Sequence, residues 1–205
     1  MMVRKMSKVL KWLFPVAASL LLAIFLASSL AACLPTDQRL LKEGDRYYDA
    51  GDKLNVEGKS SEALKQYDLA VQQYSKALEA NPQSIPGYLS RGAAYTELGK
   101  YDEALKDLGQ VIQMDPENTM AYYQRAMTEI FAQKYDQSIA DSNQCIKLGL
   151  ENHFVYYNRG VAYARKGNYE FALADFTKAK TLTNSADFIK KMDGEINQLR
   201  TAMGK

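Results

Sequence analysis

The stretch Tyr88–Pro116, YLSRGAAYTELGKYDEALKDLGQVIQMDP, contains the small, aromatic and charged residues on which most of the chain is built. Arg91 returns as Arg125 and Arg159, Tyr101 as Tyr135 and Tyr169, and Asp107 as Asp141 and Asp175, while Pro82 precedes Pro116, each at a step of 34. A fixed period of that length marks a repeat protein, in which one unit cannot bury its apolar face alone and neighbours must stack.

Within the unit, small and aromatic residues recur at steps of three and four, which is the face of an amphipathic helix. Gly92 removes the side chain that would hold two helices apart, Gly99 can take the positive φ needed to leave a helix, and Pro116 ends the second helix. This pattern of small and aromatic residues resembles the tetratricopeptide repeat (TPR), a helix-turn-helix module. The resemblance covers residues 40–184 and implies an all-α fold. The expected architecture is a right-handed TPR superhelix (α-solenoid) of four helical hairpins plus a C-terminal capping helix, preceded by a hydrophobic signal helix. The repeats run at about 38–82, 84–116, 118–150 and 152–184. The cap occupies 185–205, where Ile189, Met192, Ile196, Leu199 and Met203 form one apolar stripe that closes the last unit.

The units are unequal. In the first, Gly44, Tyr47 and Gly51 match the first half of the motif and Tyr67, Ala70, Tyr74, Ala77 and Pro82 the second, but the halves lie 14 residues further apart than in an ordinary repeat. The apolar period runs through the inserted stretch, so an elongated hairpin is expected, with about 10 Å of overhang. The third unit keeps the period and loses the signature: Ala126 replaces the glycine, Glu129 the tyrosine, Gln133 the turn glycine, Ser138 the alanine and Leu150 the proline.

The N-terminus has a different organisation. Arg4, Lys5, Lys8 and Lys11 precede an uncharged run from Trp12 to Thr36, and the first 32 residues contain no acid. This is the layout of a secretory signal. It ends in Leu30-Ala31-Ala32-Cys33, which resembles the bacterial lipobox, cut before the cysteine that carries the lipid. The implied arrangement is a signal peptide at 1–32 and a lipidated Cys33 with a short tether at 33–37. A plain signal peptide or an uncleaved transmembrane anchor are the alternatives, since 25 uncharged residues could span about 30 Å of hydrocarbon. With Leu34 rather than Asp after the cysteine, the resemblance favours the outer membrane facing the periplasm in a Gram-negative source, and otherwise the outer face of the plasma membrane. Two or three acyl chains give stable attachment where one is marginal.

The whole chain carries 26 bases and 24 acids. Without the four N-terminal bases the balance is 22 to 24, or −2, which gives no electrostatic case for nucleic acid. One histidine, His153, and the thiol Cys145 are too few for a metal centre or a triad, so no catalytic residue, metal or cofactor is expected and the chain reads as no enzyme. Cys145 stands where other units have Ala77, Val111 and Ala179, which reads as a small packing residue.

Two sets of residues are candidates for a role. Arg91, Arg125 and Arg159 each precede an Asp, at 107, 141 and 175, by 16 residues, and both partners are absent together from the first unit; they are expected to form structural ion pairs. The TPR resemblance implies a concave surface lined by the first helix of each repeat. Carried onto this chain, that surface includes Leu89, Ala93, Tyr123, Met127, Ile130, Phe131, Phe154, Tyr157 and Val161. The expected groove is apolar and aromatic, lacks the Lys and Asn of a carboxylate clamp, and suits a segment of a protein partner. By resemblance, TPR lipoproteins assist assembly of envelope machines or bring proteases to substrates. The expectation is a membrane-anchored adaptor or scaffold whose partner is a protein or peptide segment. A self-associating structural spacer, with a homo-oligomer left open, is the alternative, and an envelope enzyme a remote one.

Overall fold

The computed structural model describes residues 35–204. The signal segment 1–32, Cys33 and Leu34 lie outside the described residues. Among the described residues there are nine helices and no strand: α1 (Thr36–Val56), α2 (Ser60–Ala80), α3 (Ile85–Glu97), α4 (Tyr101–Met114), α5 (Thr119–Phe131), α6 (Tyr135–Lys147), α7 (His153–Arg165), α8 (Tyr169–Thr181) and α9 (Ala186–Ala202).

Each helix packs against its neighbours in sequence, and α1, α3, α5 and α7 also touch one another in a row. That row is the inner layer of an α-solenoid, with α2, α4, α6 and α8 outside it. Glycines set the depth of the hairpins. A Cβ at Gly92 would lie 3.1 Å from Leu108, one at Gly160 would lie 2.7 Å from Phe176, and ones at Gly44 and Gly51 would strike the rings of Tyr74 and Tyr67. A bare helix face is what admits a large side chain from the partner helix.

The start of each later hairpin is capped by a side chain: Ser84 accepts from Gly87 N–H, Asn118 from Ala121 N–H and Asn152 from Phe154 and Val155 N–H. Each such cap contributes about 1 kcal/mol. The turns between paired helices place Gly58, Gly99 and Gly167 at positive φ, and Gln133 takes the equivalent position with φ 58°.

The first hairpin stands apart in length, since α1 and α2 have 21 residues each while α3 to α8 have 13 or 14. The additional residues are helical, and eight of them carry a helix about 12 Å further. This hairpin lacks an Arg–Asp pair and is joined instead by Tyr67 Oη donating to Asp52 (2.7 Å) and Tyr74 Oη donating to Asp45 (2.8 Å). Helix α9 seals the far end, where Met192, Ile196 and Leu199 join Phe176 and Ala179 in one apolar cluster.

Candidate functional site

The recurring arginines form two-point hydrogen bonds within their own hairpins. Nε and Nη2 donate to both oxygens of the partner at 2.7 and 2.8 Å for Arg91 and Asp107, 2.6 and 2.9 Å for Arg125 and Asp141, and 2.8 and 2.7 Å for Arg159 and Asp175. The third nitrogen reaches backwards: Arg91 Nη1 donates to Ser75 Oγ (3.1 Å) and Arg159 Nη1 to Asn143 Oδ1 (2.6 Å), each on the preceding hairpin. Gly109 occupies the corresponding place before Arg125 and offers no side chain. Planar forks of this kind fix geometry as well as charge. The partner carboxylate, more than the burial that opposes it, holds each guanidinium firmly protonated. These six residues are consumed by the structure and present no free charge.

Two cavities on the inner face of the described residues involve the expected groove. One, of about 420 Å³, lies between α5 and α7 and is lined by Met127, Ile130, Phe131, Tyr135, Tyr157 and Val161, with Gln133, Asn158 and Arg165 at its polar margin. Phe131 is 54% exposed and stacks on Tyr101. The side-chain nitrogen of Asn158 is buried against this cavity, next to the Tyr123 hydroxyl.

The second cavity, about 270 Å³, lies against α1, α3 and α5 and brings together Asp45, Tyr48, Asp49, Tyr74, Leu89, Ser90, Ala93 and Gln124. The structure therefore divides the expected site. Met127, Ile130, Phe131, Tyr157 and Val161 share one cavity, Leu89 and Ala93 the other, and Tyr123 and Phe154 line neither. Tyr123 is half-buried with its hydroxyl toward Asn158. Phe154 packs edge-on to Phe188 of the capping helix, with His153 between them in a ring cluster. His153 thus serves as a packing ring at the solenoid's end.

The second cavity sets carboxylates from α1 beside Leu89 and Ala93 of the expected apolar groove. The 14-residue displacement in the first hairpin hid these positions, because no inner-face residues could be transferred onto α1 from the later repeats. The signal was present all the same: Asp45, Asp49 and Asp52 fall at steps of four and three on one helix. Burial raises the pKa of Glu97 on α3 above the usual carboxylate range, and the nearby Asp52 raises it further. The hydroxyl of Tyr48 is raised by burial first and then by Glu97, Asp52 and Asp49.

Among the described residues no group of His, Cys, Asp and Glu could hold a metal ion. No described helix is long and apolar enough to cross a membrane. Cys145 is fully buried, its thiol 3.6 Å from the Thr119 carbonyl oxygen, and burial pushes its pKa up to about 12. A thiol held neutral in this way is a poor nucleophile.

The tetratricopeptide repeat model matches residues 85–118 and 153–182, and a second model of the same repeat matches 54–84. Apart from residue 118, these stretches lie outside the third unit, whose signature residues are replaced. Among solved structures the chain is similar to MamA residues 41 to the end from Desulfovibrio magneticus RS-1, with 16% identity, TM-score 0.62, 78% of this chain covered and 85% of that one. It is also similar to a thermophilic TPR protein of Thermus thermophilus, with 17% identity, TM-score 0.60, and 78% and 83% covered. The first TPR domain of the human RPAP3 protein aligns at 24% identity and TM-score 0.54 over 60% of this chain and 96% of that one. At these identities the likeness concerns the fold, and the matches indicate no catalytic family. The described residues form an all-helical, TPR-like solenoid that carries tetratricopeptide repeats.

Proposed function

We propose that this chain is a membrane-anchored TPR adaptor or scaffold that binds a segment of a protein partner through its inner groove during assembly of a cell-envelope complex. The observation that carries the reading is the cavity of about 420 Å³ between α5 and α7, whose apolar lining includes the exposed ring of Phe131. A concave, largely preformed apolar cleft with a few polar groups suits a ligand better than an idle surface. The repeats take the right-handed superhelical sense that the TPR resemblance implies.

Attachment through lipid on Cys33 is supported by the sequence alone, where four bases, an apolar run and Leu30-Ala31-Ala32-Cys33 fall in order. The location that follows is the outer membrane facing the periplasm in a Gram-negative source, or otherwise the outer face of the plasma membrane. A lipid anchor confines the solenoid to a surface and raises its effective concentration for a partner there. Cys33→Ala is expected to abolish cleavage before residue 33 and incorporation of labelled fatty acid; unchanged processing would refute the anchor.

The groove is tested in living cells by placing a photo-crosslinking residue at Phe131 and, separately, at the exposed Lys106 on α4. A discrete foreign adduct from Phe131 and none from Lys106 is expected. Self-adducts alone, or nothing from either site, would replace the adaptor with a self-associating spacer.

A further inference from the structure

The two cavities differ in charge, and among the described residues the acids at one of them have no ion-pair partner. Asp45, Asp49 and Asp52 share one face of α1, with Glu97 of α3 beside them. Tyrosine hydroxyls bond Asp45 and Asp52 through Oδ1, and among the described residues the Asp49 carboxylate forms no hydrogen bond. Among the described residues no Lys or Arg forms an ion pair with any of the four. The recurring aspartates of the later hairpins do have cations: Asp107, Asp141 and Asp175 pair with arginines, and Asp68, Asp102 and Asp136 with Lys100, Lys134 and Lys166. Uncompensated charge gathered in a cleft focuses the field and attracts an opposite charge. The carboxylates do not form a metal-holding group, so the fitting counter-charge is an organic cation.

The neighbouring cavity supplies the second half of the recognition. Its walls are apolar, and Asn158, only 8% exposed, faces the Tyr123 hydroxyl at their margin. In the acidic cavity Gln124 has a buried side-chain oxygen that accepts from no donor. Buried polar groups are ordinarily paired. The lone acceptor in the acidic cavity complements a main-chain N–H of a peptide passing over both.

Resting on the groove reading above, we infer that its occupant is an extended peptide segment bearing an apolar side chain and a lysine or arginine about four or five residues apart. The apolar group fills the cavity between α5 and α7, and the cation sits against Asp45 and Asp49. The spacing follows from helix packing. Neighbouring inner helices lie about 10 Å apart, so the cavities are separated by about 15 Å, which an extended chain covers at about 3.3 Å per residue.

The test uses the full chain in lipid nanodiscs and fluorescein-labelled Gly/Ser peptides of about ten residues, read by anisotropy at low salt. The first carries Phe and Lys about five positions apart; its companions replace Lys by Glu or Phe by Ser. The Phe/Lys peptide is expected to bind, with each replacement weakening it about tenfold or more. Asp49→Asn should narrow the gap between the Lys and Glu peptides, and Asp49→Lys should reverse it. Asp49 is exposed and unbonded, so both variants retain the fold, with helix content by circular dichroism as the check.

Equal binding of the Lys and Glu peptides would overturn the charge assignment and leave an apolar groove standing. Binding of neither peptide, together with foreign adducts from Phe131 in cells, would show a groove used by other chemistry and would also overturn it. Binding of neither, without such adducts, would take down this inference and the adaptor reading together.

Discussion

Where the fourth hairpin pairs Gly160 with the ring of Phe176, and the second pairs Gly92 with Leu108, the third has Ala126 and Ser142 at the same positions. A slightly larger residue on one helix is offset by a much smaller one on the other, and the backbone arrangement persists. Volume-conserving exchanges are tolerated in packed interiors. The polar groups they introduce are less easily absorbed. Among the described residues, buried side-chain atoms without partners gather in the third hairpin, on Gln124, Glu129, Ser138 and Ser142. The comparison teaches that the repeat geometry is specified by summed volume at the helix contact, while stability within it depends on what each unit does with its polar atoms.

The sharpest test removes the acid of the Arg–Asp pair in each hairpin. Asp175→Ala leaves Arg159 partly buried without a counter-charge and is expected to cost about 3 kcal/mol. Asp141→Ala should cost clearly less, because Glu129 lies near Arg125 and can take the vacated role once Asp141 no longer opposes its ionisation. Urea unfolding of the two variants measures the difference; equal losses would mean that Glu129 does not sense Arg125.

Glycine exchange breaks the comparison from the packing side. Gly160→Ala puts a Cβ 2.7 Å from the Phe176 ring and should cost about 2 kcal/mol. The opposite change in the third hairpin, Ala126→Gly, meets no such contact and should cost about 0.5–1 kcal/mol through backbone entropy alone. Thermal or urea unfolding of the two variants ranks them.

The third prediction concerns pH. Glu129 is 6% exposed and stands where the neighbouring units have Tyr95 and Tyr163; burial and then Asp141 push its pKa up to about 8, against the smaller opposing effects of Arg125 and Lys134. A carboxyl raised in the folded state favours folding while it is protonated. Its contribution is complete below the unfolded value near 4.5 and is lost as pH rises through about 8. Thermal melts should therefore show the chain less stable at pH 8.5 than at 5.5 by at least one pKa unit's worth, about 1.4 kcal/mol. Glu129→Gln should flatten that part of the profile. The smallest effect is at the turn, where Gln133 adopts φ 58°: Gln133→Gly should raise stability by about 1 kcal/mol, and Gly167→Gln should lower it by a similar amount.

Much of the helical plan was legible before any coordinates, because periodicity and punctuation act locally. Gly99 is legible from residue type and position, since a left-handed turn is a property of a few consecutive residues. The Arg–Asp forks were legible from a constant spacing of 16. Their third bond, to Ser75 or Asn143, was not, because it joins hairpins and needs the superhelical offset. The groove was half legible. Met127 and Phe131 transfer from repeat to repeat, whereas Asp45 and Asp49 belong to a hairpin whose register departs from the others. The packing of Phe154 against Phe188 also escaped, since it depends on where the capping helix lands.

Gly109 alters how two hairpins are joined. Arginine ties join the first hairpin to the second through Ser75, and the third to the fourth through Asn143. Between the second and third hairpins that tie is missing, and the junction is held by the Thr96–Thr128 hydroxyl pair, the exposed Lys134–Asp102 contact and apolar packing. A buried hydroxyl pair therefore takes the place of the arginine tie at this junction. The acidic cavity lies mainly before the junction and the apolar cavity after it. A segment held in both would add a further link there, one supplied by the ligand.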